Sequence, residues 1–368
     1  MHDNFNPENQ LDALVLSGDF VMHGLASRTP GVTNWDMMKS TIEQVIEQFK
    51  TKFTEAIILP CIGNNDVVEH YSAPKIDFKD QYYGDLFYIW FSNVTKNSQY
   101  AKLSEIETTF KKGGYYRYEL TDSISFIALN TIYFSIRNDI DLQTGDEQLL
   151  WLSNQLAGAS SDHKFIIQMH IFPGLFFFNG VEQFMRTNYT TQLLQIFYQN
   201  QEKIQFLFGA HIHWADIRAP LSSEFPNLEL KMIITPSGSP IFNNNPGYTY
   251  IEMHGSTGKI SDLKWRYFQL YSYIFMKLKS FAEVDPQSLL SIDINDVSSI
   301  RESVQRLQGD SNLFGEVMAA KVGYSWIFQQ LSGLFFPLGK MIVLKDLQQN
   351  IVCALKYFEI EQYNSCKI

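Results

Sequence analysis

The chain has 368 residues, 45% of them hydrophobic and 15% aromatic, enough to bury at least one full core as one large domain or two. A formal net charge of −10 and the absence of any Lys/Arg-rich block exclude a general binder of nucleic-acid duplexes, because phosphate contacts supply most of that affinity. No stretch approaches ~18 uninterrupted apolar residues, so no transmembrane segment is expected; the nearest, Gly323 to Leu344, is broken by Gln329, Gln330, Pro337 and Lys340 and reads as a core-packing helix and strand.

In chain order, Leu14 to Leu16 is a short apolar run that stops at Ser17-Gly18-Asp19, which predicts a buried strand followed by a tight turn carrying Asp19 and His23. From Trp35 to Phe53 the residues Met38, Ile42, Val45, Ile46, Phe49 and Phe53 recur at helical spacing. Ile57 to Asp66 then predicts a second buried strand whose carboxyl end delivers Asn64 and Asn65. Strand, helix and strand make a βαβ unit, and ligands of open α/β sheets sit at that edge. Val67 to Lys112 is a polar, aromatic insertion expected to cover one side of the site.

Tyr115 to Leu120 and Ile124 to Leu129 predict two strands joined by Thr121-Asp122-Ser123, and Asp146 to Leu156 predicts a helix. Phe165 to Met169 is a strand ending on His170. Ile204 to Phe208 is another, ending in Gly209-Ala210-His211-Ile212-His213, and Met232 to Ile234 ends in Thr235-Pro236-Ser237-Gly238. Beyond Tyr267 no further strand-then-ligand unit is seen; Ile300 to Leu307 and Leu344 to Leu355 predict helices. The expected organisation is therefore a site-bearing α/β domain over 1–266 and a helical extension over 267–368.

The polar residues that follow strands form one set: Asp19, Asn64, His170, His211 and His213. A carboxylate, an amide oxygen and imidazoles suit zinc or another divalent first-row ion. Two histidines at positions i and i+2 can serve two different ions, with a shared aspartate between them, as in a two-metal hydrolase.

With its Gly18-Asp19, Gly63-Asn64, His170 and His211-x-His213 order, the chain resembles the calcineurin-like metallophosphoesterases. Within them it is similar to the acid sphingomyelinase and acid sphingomyelinase-like phosphodiesterase group, through His23 four residues after Asp19, Gly113-Gly114-Tyr115-Tyr116, Thr235-Pro236-Ser237 with Asn244-Asn245-Pro246-Gly247, and Cys353 to Cys366 with Tyr363. The resemblance implies an α/β fold, a layered metallophosphoesterase sandwich of β-sheets flanked by helices, with a mainly helical C-terminal extension. It also implies metal ligation by Asp19 (bridging), Asn64, His170 and His211 at one ion and His213 at the other, with His23 near the substrate. The cofactor would be zinc, two ions in active members, and the substrate a phosphodiester small molecule or lipid.

Two departures from the pattern matter. The family opens on a strand ending in Asp-x-His, and nothing before Asp19 matches it; His2-Asp3 has the wrong order. Asn65 stands where the family has the histidine expected to protonate the leaving group, and an amide cannot titrate near neutral pH. Together they lead us to expect one metal ion or none, impaired or absent catalysis, and a binding or structural role with a protein partner. The alternative expectation is an active phosphodiesterase whose first strand and signal peptide are missing from this sequence.

The family is secreted or lysosomal. Here Met1-His2-Asp3-Asn4 opens neither a basic nor an apolar leader, so no signal peptide is visible. Cys353 and Cys366 are spaced so that a disulfide could close in an oxidising compartment, and Asn93-Val94-Thr95 and Asn188-Tyr189-Thr190 are glycan acceptor triplets. With no export signal in view, neither glycan nor disulfide is expected.

Overall fold

The computed structural model describes residues 11–22, 25, 33–92, 102–176, 181–324 and 343–367. His23, the Asn93 sequon and 325–342 lie outside the described residues. The chain forms two compact units, 1–172 and 173–368. These are divisions by packing, a different matter from the domain boundary expected near 266.

In the first unit, strand β1 (Ala13–Leu16) pairs in parallel with β2 (Ile57–Pro60), in a register that sets Leu16 against Pro60. Helix α1 (Trp35–Lys52) connects them. It starts at Asn34, whose side chain accepts from the Met37 N–H, carries Asp36 in its first turn and Lys50 and Lys52 in its last, and buries Met38, Ile42 and Ile46. The βαβ unit is therefore present as expected, although β1 is only half-buried along its length.

The stretch from Val67 to Lys112 is more than the polar, aromatic insertion expected beside the site. It folds mostly into helices α2 (Ile76–Phe91) and α3 (Leu103–Gly113), which supply much of the core of this unit. Tyr82, Tyr83, Leu86, Trp90, Phe91 and Phe110 are all buried, and the Phe110 ring meets Trp90 and Phe91 edge-on at 5.3 and 5.5 Å. The phenolic groups keep polar partners inside: Tyr82 donates to the Asp66 carbonyl (2.6 Å) and Tyr83 shares a hydrogen bond with Tyr133 (2.7 Å).

Strands β3 (Tyr116–Thr121) and β4 (Ile124–Leu129) form the expected hairpin, and β4 pairs in parallel with β5 (Lys164–Met169). The intervening helix α4 (Leu142–Gly158) begins earlier than its apolar residues suggest. Buried on both sides, β4 reads as an apolar run broken only by Ser125, close to the pattern of a covered parallel strand.

In the second unit, β6 (Leu175–Phe176) and β7 (Glu182–Gln183) form a small ribbon before α5 (Thr187–Asn200). Asn188 is exposed on that helix. Strand β8 (Ile204–Gly209) is parallel to β10 (Met232–Ile234), which pairs antiparallel with β9 (Asp216–Arg218). A separate antiparallel sheet holds β11 (Gly247–Met253), β12 (Ile260–Phe268) and β13 (Phe281–Val284), with α6 (Leu270–Met276) between the last two.

The remaining described elements are helices, as expected: α7 (Pro286–Leu290), α8 (Val297–Gly309), α9 (Ser311–Lys321), α10 (Val343–Lys356) and α11 (Ile360–Cys366). Asn245 ties this region to the sheet: its N–H and its Nδ2 donate to the Val322 and Gly323 carbonyls (3.0 and 2.9 Å), and its Oδ1 accepts from the Leu270 N–H.

Two features of this unit were not expected. Cys353 and Cys366 are joined by a disulfide, contrary to the expectation that none would form, and with Leu175, Ala354 and Tyr363 they close a small apolar cluster. A buried ion triad lies between β9 and α9: Asp216 accepts from Arg218 Nε (2.7 Å) and from Lys321 Nζ (2.6 Å). Burial opposes ionisation of Asp216, but the two cations outweigh it and hold the carboxyl below its ordinary range.

Candidate metal centre

The parallel register of β1 and β2 brings the two turns that follow them together. Gly18 takes a left-handed backbone (φ +83°), and a Cβ there would meet the Gly63 nitrogen at 2.5 Å. A Cβ on Gly63 would meet both the nitrogen and Oδ1 of Asp19 at 2.2 Å. Asp19 itself is left-handed (φ 59°), as are His211 (70°) and His213 (64°). Non-glycine residues in that region are uncommon, and they concentrate where a fold holds functional side chains.

The turns are clamped by Asp66, which is fully buried. Its carboxylate accepts from three backbone N–H groups: Asp19 (2.7 Å), Phe20 (2.7 Å) and Gly63 (2.9 Å). Burial and the adjacent Asp19 charge raise the Asp66 carboxyl to about 7, against the Gly63 N–H, the His170 charge and the Phe20 N–H, which favour its ionised form. Asp66 was passed over at the sequence level because an acid in a Gly-Asn-Asn-Asp turn looks like turn chemistry.

A relay of amides then fixes the polar side chains. The Asn65 N–H donates to Asp19 Oδ1 (2.8 Å), and Asn65 Nδ2 donates to Asp19 Oδ2 (3.0 Å). With its NH₂ committed there, Asn65 turns its Oδ1 toward Asn64 Nδ2 (3.3 Å), which also reaches His70 Nε2 (2.9 Å). Asn64 is thereby left with its Oδ1 facing His170 Nε2 at 2.9 Å. His70 is the second residue that sequence reasoning missed; the Tyr71 N–H bond back to the Asn64 carbonyl (3.2 Å) folds it onto the site.

His170, 2% exposed, places Nδ1 2.6 Å from the Ser17 carbonyl. A carbonyl can only accept, so Nδ1 carries the proton and Nε2 is the nitrogen turned toward the site. Nε2 faces Asn64 Oδ1 and, at 3.2 Å, Asp19 Oδ2. Two oxygen acceptors and an imidazole nitrogen thus meet at one point, an arrangement that calls for a positive charge. Burial pushes the His170 imidazolium down, but the Asp19 carboxylate and the Ser17 carbonyl outweigh it and raise it above the ordinary value. The same environment fits a divalent ion. Tetrahedral ligand bonds of about 2.0–2.2 Å set neighbouring donor atoms roughly 3.3–3.6 Å apart, so the donors seen here at 2.9 and 3.2 Å would need to spread by only a few tenths of an ångström, and the Ser17 carbonyl is the kind of outer partner that orients a ligating histidine.

Asp19, Asn64, Asn65 and His170 are therefore brought together in the first unit. His211 and His213 lie in the second, on the turn after β8, each against an aromatic edge: Phe184 for His211 (5.2 Å) and Phe242 for His213 (4.7 Å). The Thr235 and Ser237 N–H groups bond back to the Gly209 and His213 carbonyls, so the turns after β8 and β10 support one another. Among the described residues no cluster of three His, Cys, Asp or Glu side chains is close enough to hold a metal. The convergent set contains two such groups, Asp19 and His170, with the Asn64 amide as third donor.

One other polar cluster can be set aside as a catalytic centre. Ser125 Oγ lies 2.6 Å from both His163 Nε2 and Glu119 Oε2, but Ser125 is fully buried within β4, and the carboxylate bonds the serine rather than orienting the far side of the imidazole.

The calcineurin-like phosphoesterase family profile matches residues 1–215. Among curated proteins, the chain is 26% identical over 280 residues to sphingomyelinase phosphodiesterase D of Dictyostelium discoideum, covering 73% of this chain and 57% of that protein. It is 23% identical over 257 residues to acid sphingomyelinase-like phosphodiesterase 3b of Mus musculus, covering 64% and 53%. The chain thus spans little more than half the length of the curated relatives it matches. Among solved structures, PhoD aligns with a TM-score of 0.46 and 12% identity, over 76% of this chain and 64% of that one. With more than half of its residues matched by the profile, the chain belongs to the calcineurin-like phosphoesterase family.

Proposed function

We propose that this protein retains a single divalent ion, zinc by the chemistry of its donors, at Asp19, Asn64 and His170, and that it hydrolyses phosphodiesters poorly or not at all, serving as a binding component for a protein partner. The observation that carries this is the pair of hydrogen bonds that Asn65 donates to Asp19. Both carboxylate oxygens accept from Asn65, so the residue standing in place of the expected acid is locked inward as a brace for the ligands. It has no proton to give a leaving group, and loss of a general acid costs about 10²- to 10⁴-fold. A bound ion would supply Lewis-acid polarisation of a phosphoryl oxygen. His170 would hold that ion through Nε2, and Asn64 would be aimed by the amide relay.

The compartment consistent with this proposal is an oxidising one, secreted or lysosomal, supported by the closed Cys353–Cys366 bridge. The test is turnover of bis(p-nitrophenyl) phosphate by zinc-loaded protein. Negligible hydrolysis is expected, and robust hydrolysis abolished by His170→Ala would replace this proposal with that of an active phosphodiesterase.

A further inference from the structure

The connection between β12 and β13 presents an apolar surface in the second unit that the metal centre does not use. Six large side chains stand on it: Phe275 is 69% exposed, Leu278 58%, Met276 52%, Ile274 48%, and Tyr273 and Phe281 43% each. Singly exposed apolar residues need no explanation, but six within nine consecutive positions do. The segment is a built element. The Lys277 N–H bonds to the Tyr273 carbonyl and the Leu278 N–H to the Ser272 carbonyl (both 3.1 Å), with Lys277 left-handed (φ 56°) to turn the chain. The Gln269 N–H bonds to the Ser280 carbonyl (2.9 Å) at its base, where Phe268 packs against Tyr273 and Phe281 at 5.4 and 5.6 Å.

Its charge is opposite in sign to that of the chain. From Leu270 to Ala282 there is no Asp or Glu, and the only charged residues are Lys277 and Lys279, both exposed, in a protein of net charge −10. The carboxylates near the base are already paired: Glu283 with Arg266 (2.6 Å), and Asp262 and Asp285 with Lys264 (2.9 and 2.7 Å). Apolar side chains interleaved with lysines, a tyrosine among them, make the pattern of an element that lies in a membrane interface, its apolar side in the acyl boundary and its cations among anionic headgroups.

We infer that the α6 turn, through Tyr273, Ile274, Phe275, Met276 and Leu278 with Lys277 and Lys279, docks this protein onto the surface of an anionic phospholipid membrane. Lys277 and Lys279 favour an anionic surface and disfavour a symmetric pairing of this patch with its counterpart on a second copy, which would bring four lysines together. The inference stands apart from the metal centre and holds whether or not that centre turns over substrate.

The test is co-sedimentation of the full chain with vesicles of phosphatidylcholine, with and without phosphatidylserine. Wild type is expected to pellet with the phosphatidylserine vesicles and to be released by salt. Lys277→Gln/Lys279→Gln should weaken that binding by about 25-fold, roughly fivefold per lysine. Phe275→Ser/Leu278→Ser should weaken it at least tenfold, with circular dichroism unchanged because both side chains are exposed. Failure of wild type to pellet, or undiminished binding by both double variants, would overturn the inference. So would a wild-type dimer on gel filtration that Phe275→Ser/Leu278→Ser dissolves, which would give the surface to a second copy.

Discussion

Replacing Asp66 tests whether one carboxylate organises the metal centre. Its Oδ2 serves the Asp19 and Gly63 N–H groups and its Oδ1 the Phe20 N–H. In Asp66→Asn, an amide oxygen in the Oδ2 position keeps two of these bonds, while the NH₂ must face the Phe20 N–H, donor against donor. A hydrogen bond to a charged group is worth about 1.5–3 kcal/mol, and a buried donor left unmet costs about 1–3 kcal/mol, so Asp66→Asn should cost ~2–3 kcal/mol. Asp66→Ala strands all three donors and should cost ~4 kcal/mol or more, limited by how far water can enter. Urea denaturation with and without zinc measures both the stability and the metal-linked part of it. Because the bond lost is that of Phe20, the residue next to Asp19, zinc should stabilise Asp66→Asn less than wild type. Equal stability and equal zinc response in the two proteins would refute the clamp.

Gly63→Ala should abolish zinc binding and lower stability by ~3 kcal/mol, because its Cβ would fall 2.2 Å from Asp19 backbone and carboxylate atoms; a zinc titration and a urea curve check both. Asp216→Asn should cost ~3–5 kcal/mol by leaving Arg218 and Lys321 buried without their anion. Since the Asp216 carboxyl is held below its unfolded value, its contribution is present above about pH 4 and is lost as pH falls through the folded value. The gap in denaturation midpoint between wild type and Asp216→Asn should therefore close below about pH 4. Cys353→Ser should lower stability by about 3 kcal/mol, the chain-entropy value for a loop of this size, and the variant's stability should be insensitive to reductant.

The turns that carry the candidate ligands were legible in the sequence because each follows a short apolar strand, and Asp19, Asn64 and His170 do converge. Their geometry was not legible. Only the parallel register of β1 on β2 brings Asp66 to backbone groups 46 and 47 positions away, and only the amide relay reveals Asn65 as a brace. The helices within Val67 to Lys112 were not legible because α2 buries aromatics around much of its circumference, which erases the helical stripe that makes α1 easy to find. Strands β11 and β12 bear no ligand turn and so escaped attention, although Leu263, Trp265 and Tyr267 alternate with more exposed neighbours as a strand should. The disulfide follows from tertiary packing of α10 on α11, a pairing that no leader sequence could announce or exclude.

The central claim is that a metal centre persists in a reduced form. Elemental analysis of protein loaded with zinc and then dialysed tests it most directly. The account predicts one tightly held equivalent, lost in His170→Ala and in Asp19→Asn; two tightly held ions per chain would contradict it.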